Sequence, residues 1–79
     1  MEETKIYSAE EFNDALIEET IKEIIGILKE KGYNPTNQIV GYLMSGDPGY
    51  ISSYKDARNK ITRYERAKLI EVLLKKFVK

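Results

Sequence analysis

From Phe12 onward the chain repeats apolar residues at steps of three and four: Phe12, Leu16, Ile17, Ile21, Ile24, Ile25 and Leu28 draw one stripe, with Glu18, Lys22 and Lys29 off it. That period lets an α-helix bury one face and solvate the other. Ser8-Ala9-Glu10-Glu11 marks the start, because a Ser hydroxyl can accept from the amide three residues on while that residue's carboxylate returns to the Ser amide. Gly32 can adopt the left-handed turn that ends a helix, and Tyr33 can fold back on the last turn. Asn34-Pro35 opens a second helix, with Asn34 as cap and Pro35 where its missing amide costs nothing. Ile39, Val40 and Leu43, with Tyr42 as a further candidate, form its buried side. Gly46 ends it, and Asp47-Pro48-Gly49 predicts a turn. Asp56 then stands near the amino end of a third helix, where negative charge is favoured. Ala57, Ile61 and Tyr64 share one phase, whereas Leu69, Ile70, Leu73, Leu74 and Phe77 share another. The mismatch predicts a break near Thr62, with Thr62 to Glu65 as a second capping box. The reading is an all-α fold, a small domain of four helices, two long and two short, over residues 8–79, preceded by a flexible amino-terminal tail over residues 1–7.

Length adds an argument that pattern alone does not. An unbroken first helix of about 23 residues would be ~35 Å long, more than the ~30 Å expected of so small a globule. A domain of this size hides only about 60 to 65% of its unfolded surface. With no cysteine to cross-link and no histidine to hold zinc, self-association is the remaining staple. A closely packed or intertwined homodimer is therefore expected.

Charge sharpens this. The chain is neutral overall, with 13 basic and 13 acidic residues, which disfavours indiscriminate nucleic-acid binding. Yet residues 1–31 carry nine acids against four lysines, and residues 55–79 carry nine bases against three acids. The simplest consequence is that the two halves pack together, within one chain or across a dimer, in preference to a ligand-facing basic patch. No apolar run reaches the roughly 18 to 20 residues that cross a bilayer, so a cytoplasmic protein without membrane insertion is expected.

Candidate chemistry is sparse. Without Cys or His, metal, redox and nucleophilic catalysis lose their usual groups, and Ser45, Ser52 and Ser53 have no histidine base. A non-enzymatic protein without a cofactor follows. Gly41, Gly46 and Gly49 lack the Gly-Lys-Ser/Thr run of a phosphate loop, and Gly41 inside a helix, at a cost of about 1 kcal/mol, implies a close approach. Gln38 to Tyr64 loosely resembles a helix-turn-helix reader bearing Arg58, Asn59, Lys60 and Arg63, with Arg66 beyond, but its connection exceeds the motif's 3 to 4 residues. A nucleic-acid-binding module and a structural subunit of a larger complex stand as alternatives. Tyr33, Tyr42, Tyr50, Tyr54 and Tyr64 gather around the turns, as suits a domain rim or an interface.

The stretch Gly32-Tyr33-Asn34-Pro35, Asn37-Gln38-Ile39-Val40-Gly41-Tyr42-Leu43 and Ser45-Gly46-Asp47-Pro48, followed by Tyr50-Ile51, Asp56-Ala57-Arg58-Asn59 and Glu65-Arg66, resembles the IreB family of small bacterial regulatory proteins. The resemblance implies a cytoplasmic helical homodimer that restrains cell-envelope stress and cephalosporin tolerance. It also implies transient contact with a membrane-anchored Ser/Thr kinase carrying extracellular PASTA domains, and an unknown downstream protein. By that likeness Thr4, in Glu3-Thr4-Lys5-Ile6-Tyr7, is the phosphorylation candidate. Tyr33, Asn34, Pro35, Asn37, Gln38, Tyr42, Ser45, Gly46, Asp47, Pro48, Tyr50, Asp56, Arg58, Asn59, Glu65 and Arg66 are the candidate dimer seam or partner surface. The chain departs from the family pattern at Gly49, Ser52, Thr62 and Ala67-Lys68, and it lacks the second tail threonine of some members.

Overall fold

A computed structural model describes residues 8–78, all of whose regular structure is helical. The tail over residues 1–7, with Thr4, lies outside the described residues. Helix α1 spans Ala9–Glu30, α2 Pro35–Ser45, α3 Ala57–Ile61 and α4 Arg66–Lys75. Two short 3-10 turns, Pro48–Tyr50 and Tyr54–Asp56, lie between α2 and α3. Among the described residues only α1, with 22 residues, is long; α2 has 11, α3 five and α4 ten, so the expected second long helix is not found there.

The helix ends follow local chemistry. Ser8 Oγ accepts from the Glu11 amide at 3.1 Å, and Glu11 Oε1 accepts from the Ser8 amide at 3.0 Å, completing the capping box. At the other end Gly32 turns left-handed (φ 88°), and the Gly32 and Tyr33 amides bond the Lys29 and Leu28 carbonyls. Asn34 caps α2 through the Asn37 amide, and Gly46 (φ 80°) closes it. The expected second capping box does not form. Thr62 Oγ1 donates back to the Arg58 and Asn59 carbonyls, and Glu65 begins α4 without a side-chain cap bond.

The core is one cluster. Ile17, Ile21, Ile24, Ile27 and Leu28 of α1 meet Tyr42 of α2, Ile51, Ala57 and Ile61, and Leu69 and Val72 of α4. Hiding each Ile or Leu contributes roughly 1.5–3 kcal/mol, so these few side chains hold most of the fold. Tyr42, a candidate for the buried side of α2, is buried, but several expected burials are corrected. Phe12, Leu16, Val40, Ile70, Leu74 and Phe77 are exposed, while Val72 and Ile27 are buried. On α4, apolar residues occupy both phases of the helix, and only contact with α1 selects Leu69 and Val72. On α2, Tyr42 turns inward and Val40 outward.

Candidate functional site

Most of the family-like residues gather at the corner between α2 and α3, and several of their side chains bond the chain's own backbone. Ser45 Oγ donates to the Gly41 carbonyl at 2.8 Å and accepts from the Asp47 amide at 2.9 Å. Asp47 Oδ1 accepts from the Gly49 amide at 2.8 Å, which sets Pro48 to lead the first 3-10 turn. Gln38 Oε1 accepts from the Ser52 amide, and Arg58 Nε donates to the Ile51 carbonyl at 2.8 Å. These two bonds clamp the loop from opposite sides. Arg66 Nη1 donates to the Leu43 carbonyl at 3.0 Å, and its guanidinium lies over Gly46, where a methyl would fall 2.9 Å from Cζ. Lys55 (φ 48°) and Asp56 (φ 67°) are left-handed without being glycine, and Asn59 Nδ2 donates to Asp56 Oδ1 at 2.8 Å.

Gly41 has the close neighbour its position implied. The Tyr50 ring lies on it, so that a methyl there would fall 2.9 Å from Cε1 and nearer still to Cδ1. Tyr42 is core, Pro35 is half-buried, and Asn34, Asn37 and Glu65 stand at helix starts. Tyr33 and Tyr50 keep exposed rings. The basic residues of the helix-turn-helix reading are largely held by their own chain: Arg58 and Arg66 on carbonyls, and Lys60 on Glu23 at 3.3 Å.

Beside this corner an apolar groove of about 600 Å³ runs between α1, α2 and α4. The buried Ile24 and Ile61, the half-buried Leu43 and Leu73, and the exposed Val40 and Phe77 are among the residues that line it. Val40 is 51% exposed and Phe77 85%. Met44 and Leu74, not part of the groove lining, add further exposed apolar surface at 81% and 57%. So much uncovered apolar side chain on a small domain is the mark of an association surface. Sequence periodicity assigned Val40 and Phe77 to the core; their exposure in one chain could not be read from it.

The third feature is electrostatic. The acidic first helix faces the basic last one: Lys75 Nζ lies 2.6 Å from Asp14 Oδ2 and 3.1 Å from Glu10 Oε2, and Lys76 Nζ lies 2.6 Å from Glu18 Oε2. Lys68 Nζ sits 3.2 Å from Asp14 Oδ1, an electrostatic contact without a well-directed hydrogen bond. The Lys75 hydrogen bond is the main reason the Asp14 carboxyl is held below the ordinary range. Asp14 in turn, ahead of Glu10 and Glu71, pushes the Lys75 ammonium well above the usual lysine value. A separate pair joins Lys55 to Glu30 at 3.0 Å, beside Tyr54, whose hydroxyl donates to the same carboxylate at 3.1 Å. The charge gradient seen in the sequence is thus answered within one chain. Among the described residues no helix is long and apolar enough to cross a membrane.

A family model described as IreB regulatory phosphoprotein matches residues 2–79. The chain belongs to that family, and its role is that of a regulatory phosphoprotein.

Proposed function

We propose that this IreB-family chain is a non-catalytic cytoplasmic regulator that works as a homodimer and is controlled by phosphate placed on Thr4. The kinase is a membrane-anchored Ser/Thr kinase with PASTA domains, and the regulated process is the response to cell-envelope stress, including cephalosporin tolerance. The observation that carries this is the family match, which begins at residue 2 and so includes Thr4.

Two features support the choice of acceptor and of oligomer. Ser8, Thr20, Ser45, Ser52 and Thr62 all have hydroxyls engaged with backbone groups. Thr4 precedes the first capped turn in the sequence, and a phosphate there adds about −1.5 to −2 charge. The second copy is the occupant that fits the groove, because the surface is apolar, the net charge is zero, and small domains without staples gain most from pairing. In this reading the Tyr33, Asn34 and Asp47-Pro48 corner, with Asp56 to Asn59, shapes the face offered to the second copy or to a downstream protein.

Incubating the chain with the cytosolic kinase domain and ATP, then mapping phosphate by mass spectrometry, tests the first half. Absence of phosphate on Thr4 removes it. Light scattering across a concentration series tests the second half, and a strict monomer at all concentrations removes that.

A further inference from the structure

Where α1 begins and α4 ends, three carboxylates share two ammonium groups. Glu10, Asp14 and Glu71 surround Lys75 at 3.1, 2.6 and 3.2 Å, and Lys68 lies 3.2 Å from Asp14 and 3.5 Å from Glu71. The carboxylates differ in how firmly they are held. The Asp14 side chain is 19% exposed and the Glu10 side chain 62%. Asp14 is the anchor, and Glu10 is the partner most easily replaced, since an exposed ion pair is worth little.

Glu10 is also the partner nearest Thr4 along the chain. Thr4 lies four positions before Ser8, a reach of up to about 14 Å of extended backbone. We infer that Lys75, with Lys68 beside it, is the internal receptor for a phosphate on Thr4, which takes the place of the Glu10 carboxylate. This rests on the reading of Thr4 as the acceptor. A phosphate brings about −1.5 to −2 charge and three acceptor oxygens to a lysine that now donates to a single oxygen of Glu10. Lys76 and Lys22 already share Glu18, further along the same face.

The location connects the mark to the groove. Lys75 closes α4, with Leu73 two residues before it and Phe77 two residues after, and both line the groove. Exchanging Glu10 for the phosphate ties the tail to the turn that carries these two side chains. The phosphate is thereby registered at the edge of the pairing surface.

The test uses the full 79-residue chain made by chemical synthesis with phosphothreonine at position 4, so that no kinase is involved. The second ionisation of the phosphate is followed by phosphorus NMR and compared with the phosphorylated peptide of residues 1–7. A lysine receptor lowers the second pKa, by about 0.5 unit or more, whereas proximity to Glu10, Asp14 and Glu71 without it raises the value. Lys75→Gln is expected to abolish the lowering. Because that variant also loosens α4, Glu10→Gln supplies the second arm: it leaves both lysines in place, removes the competitor and should deepen the lowering. A second pKa equal to or above that of the peptide overturns the inference. A kinase that fails to modify Thr4 would instead overturn the preceding reading and leave this result standing.

Discussion

Between Asn34 and Asn59 the chain is closed by directed hydrogen bonds, whereas where α1 begins and α4 ends it is held by lysines shared among carboxylates. At the corner, Gln38, Ser45, Asp47 and Arg58 each meet a particular backbone group. Such bonds admit one geometry, and at Gln38 and Arg58 an unmade one leaves a part-buried backbone group unsatisfied. At the α1–α4 end Asp14 is the anchor, while Glu10, Glu71 and Lys75 around it are solvent-exposed partners whose individual pairs are worth little. One region stores the shape, and the other can change partners at little cost. That difference places the family-like residues in the part that must not move and the charges in the part that can respond.

The strongest way to break this contrast is to empty the corner. Ile51 is fully buried, and its carbonyl is the acceptor for Arg58 Nε. Ile51→Ala should cost about 2–5 kcal/mol in urea unfolding, from lost burial plus the cavity left behind. Phe12→Ala, at an exposed position of α1, should stay within about 0.5 kcal/mol of the parent chain at high dilution. Equal losses at the two sites would mean that the corner is no more tightly built than the open end.

The groove supplies the next largest effect. Val40→Asp places a carboxylate on the exposed edge of α2, where one chain tolerates it and a pairing surface does not. Sedimentation should show self-association weakened by about tenfold or more, equivalent to roughly 1.4 kcal/mol, with the helical circular dichroism unchanged. Unaltered association would move the pairing surface off the groove.

Much of the capping and of the turn after α2 was legible because its signals are local. Ser8 with Glu11, Asn34 with Pro35, and Gly46 with Asp47 each act over a few residues, so their spacing in the chain already contains the geometry. The left-handed pair Lys55-Asp56 carried no such sign, since neither residue is glycine. The burial pattern of α4 was not legible either. Leu69, Ile70, Val72, Leu73 and Leu74 leave few polar positions to mark an outer face, and the choice is made by α1. Likewise the charge gradient announced that the two halves attract, but the pairing of Asp14 with Lys75 joins residues 61 positions apart. Such a pair depends on the whole fold.

Gly41 tests how tightly the corner is packed, with a smaller effect. Alanine at this helical position should gain up to about 1 kcal/mol from propensity alone. Here the Tyr50 ring occupies the space, and overpacking costs about 1–3 kcal/mol, so a net loss of about 1 kcal/mol is expected from Gly41→Ala. In a Tyr50→Ala background the same change should stabilise. A double-mutant cycle by thermal unfolding that shows no coupling would separate ring and glycine.

The smallest effect is on pH dependence, and it isolates the charged end. Asp14 and Glu18 are held below their ordinary values of 3.8 and 4.5, first by the hydrogen bonds from Lys75 and Lys76 respectively. A carboxyl whose folded pKa is depressed binds protons more readily in the unfolded chain. Its contribution is therefore complete above the ordinary value and lost as pH falls through the depressed folded one. Lys75 is shifted the opposite way, above its ordinary 10.5, so its contribution is complete below that value and lost only at still higher pH. The melting temperature should accordingly be flat across neutral pH and decline below about pH 4, the range in which these carboxyls gain protons. Asp14→Asn should flatten part of the acid decline while leaving the neutral plateau only slightly lower, because its partner Lys75 is solvent-exposed and keeps Glu10 and Glu71. Gln38→Ala, which removes a bond at the corner, should lower the plateau and leave the slope of the acid limb unchanged. If both variants altered the acid limb alike, proton binding would not distinguish the two regions, and the interchangeable charges would have to be sought elsewhere on α1.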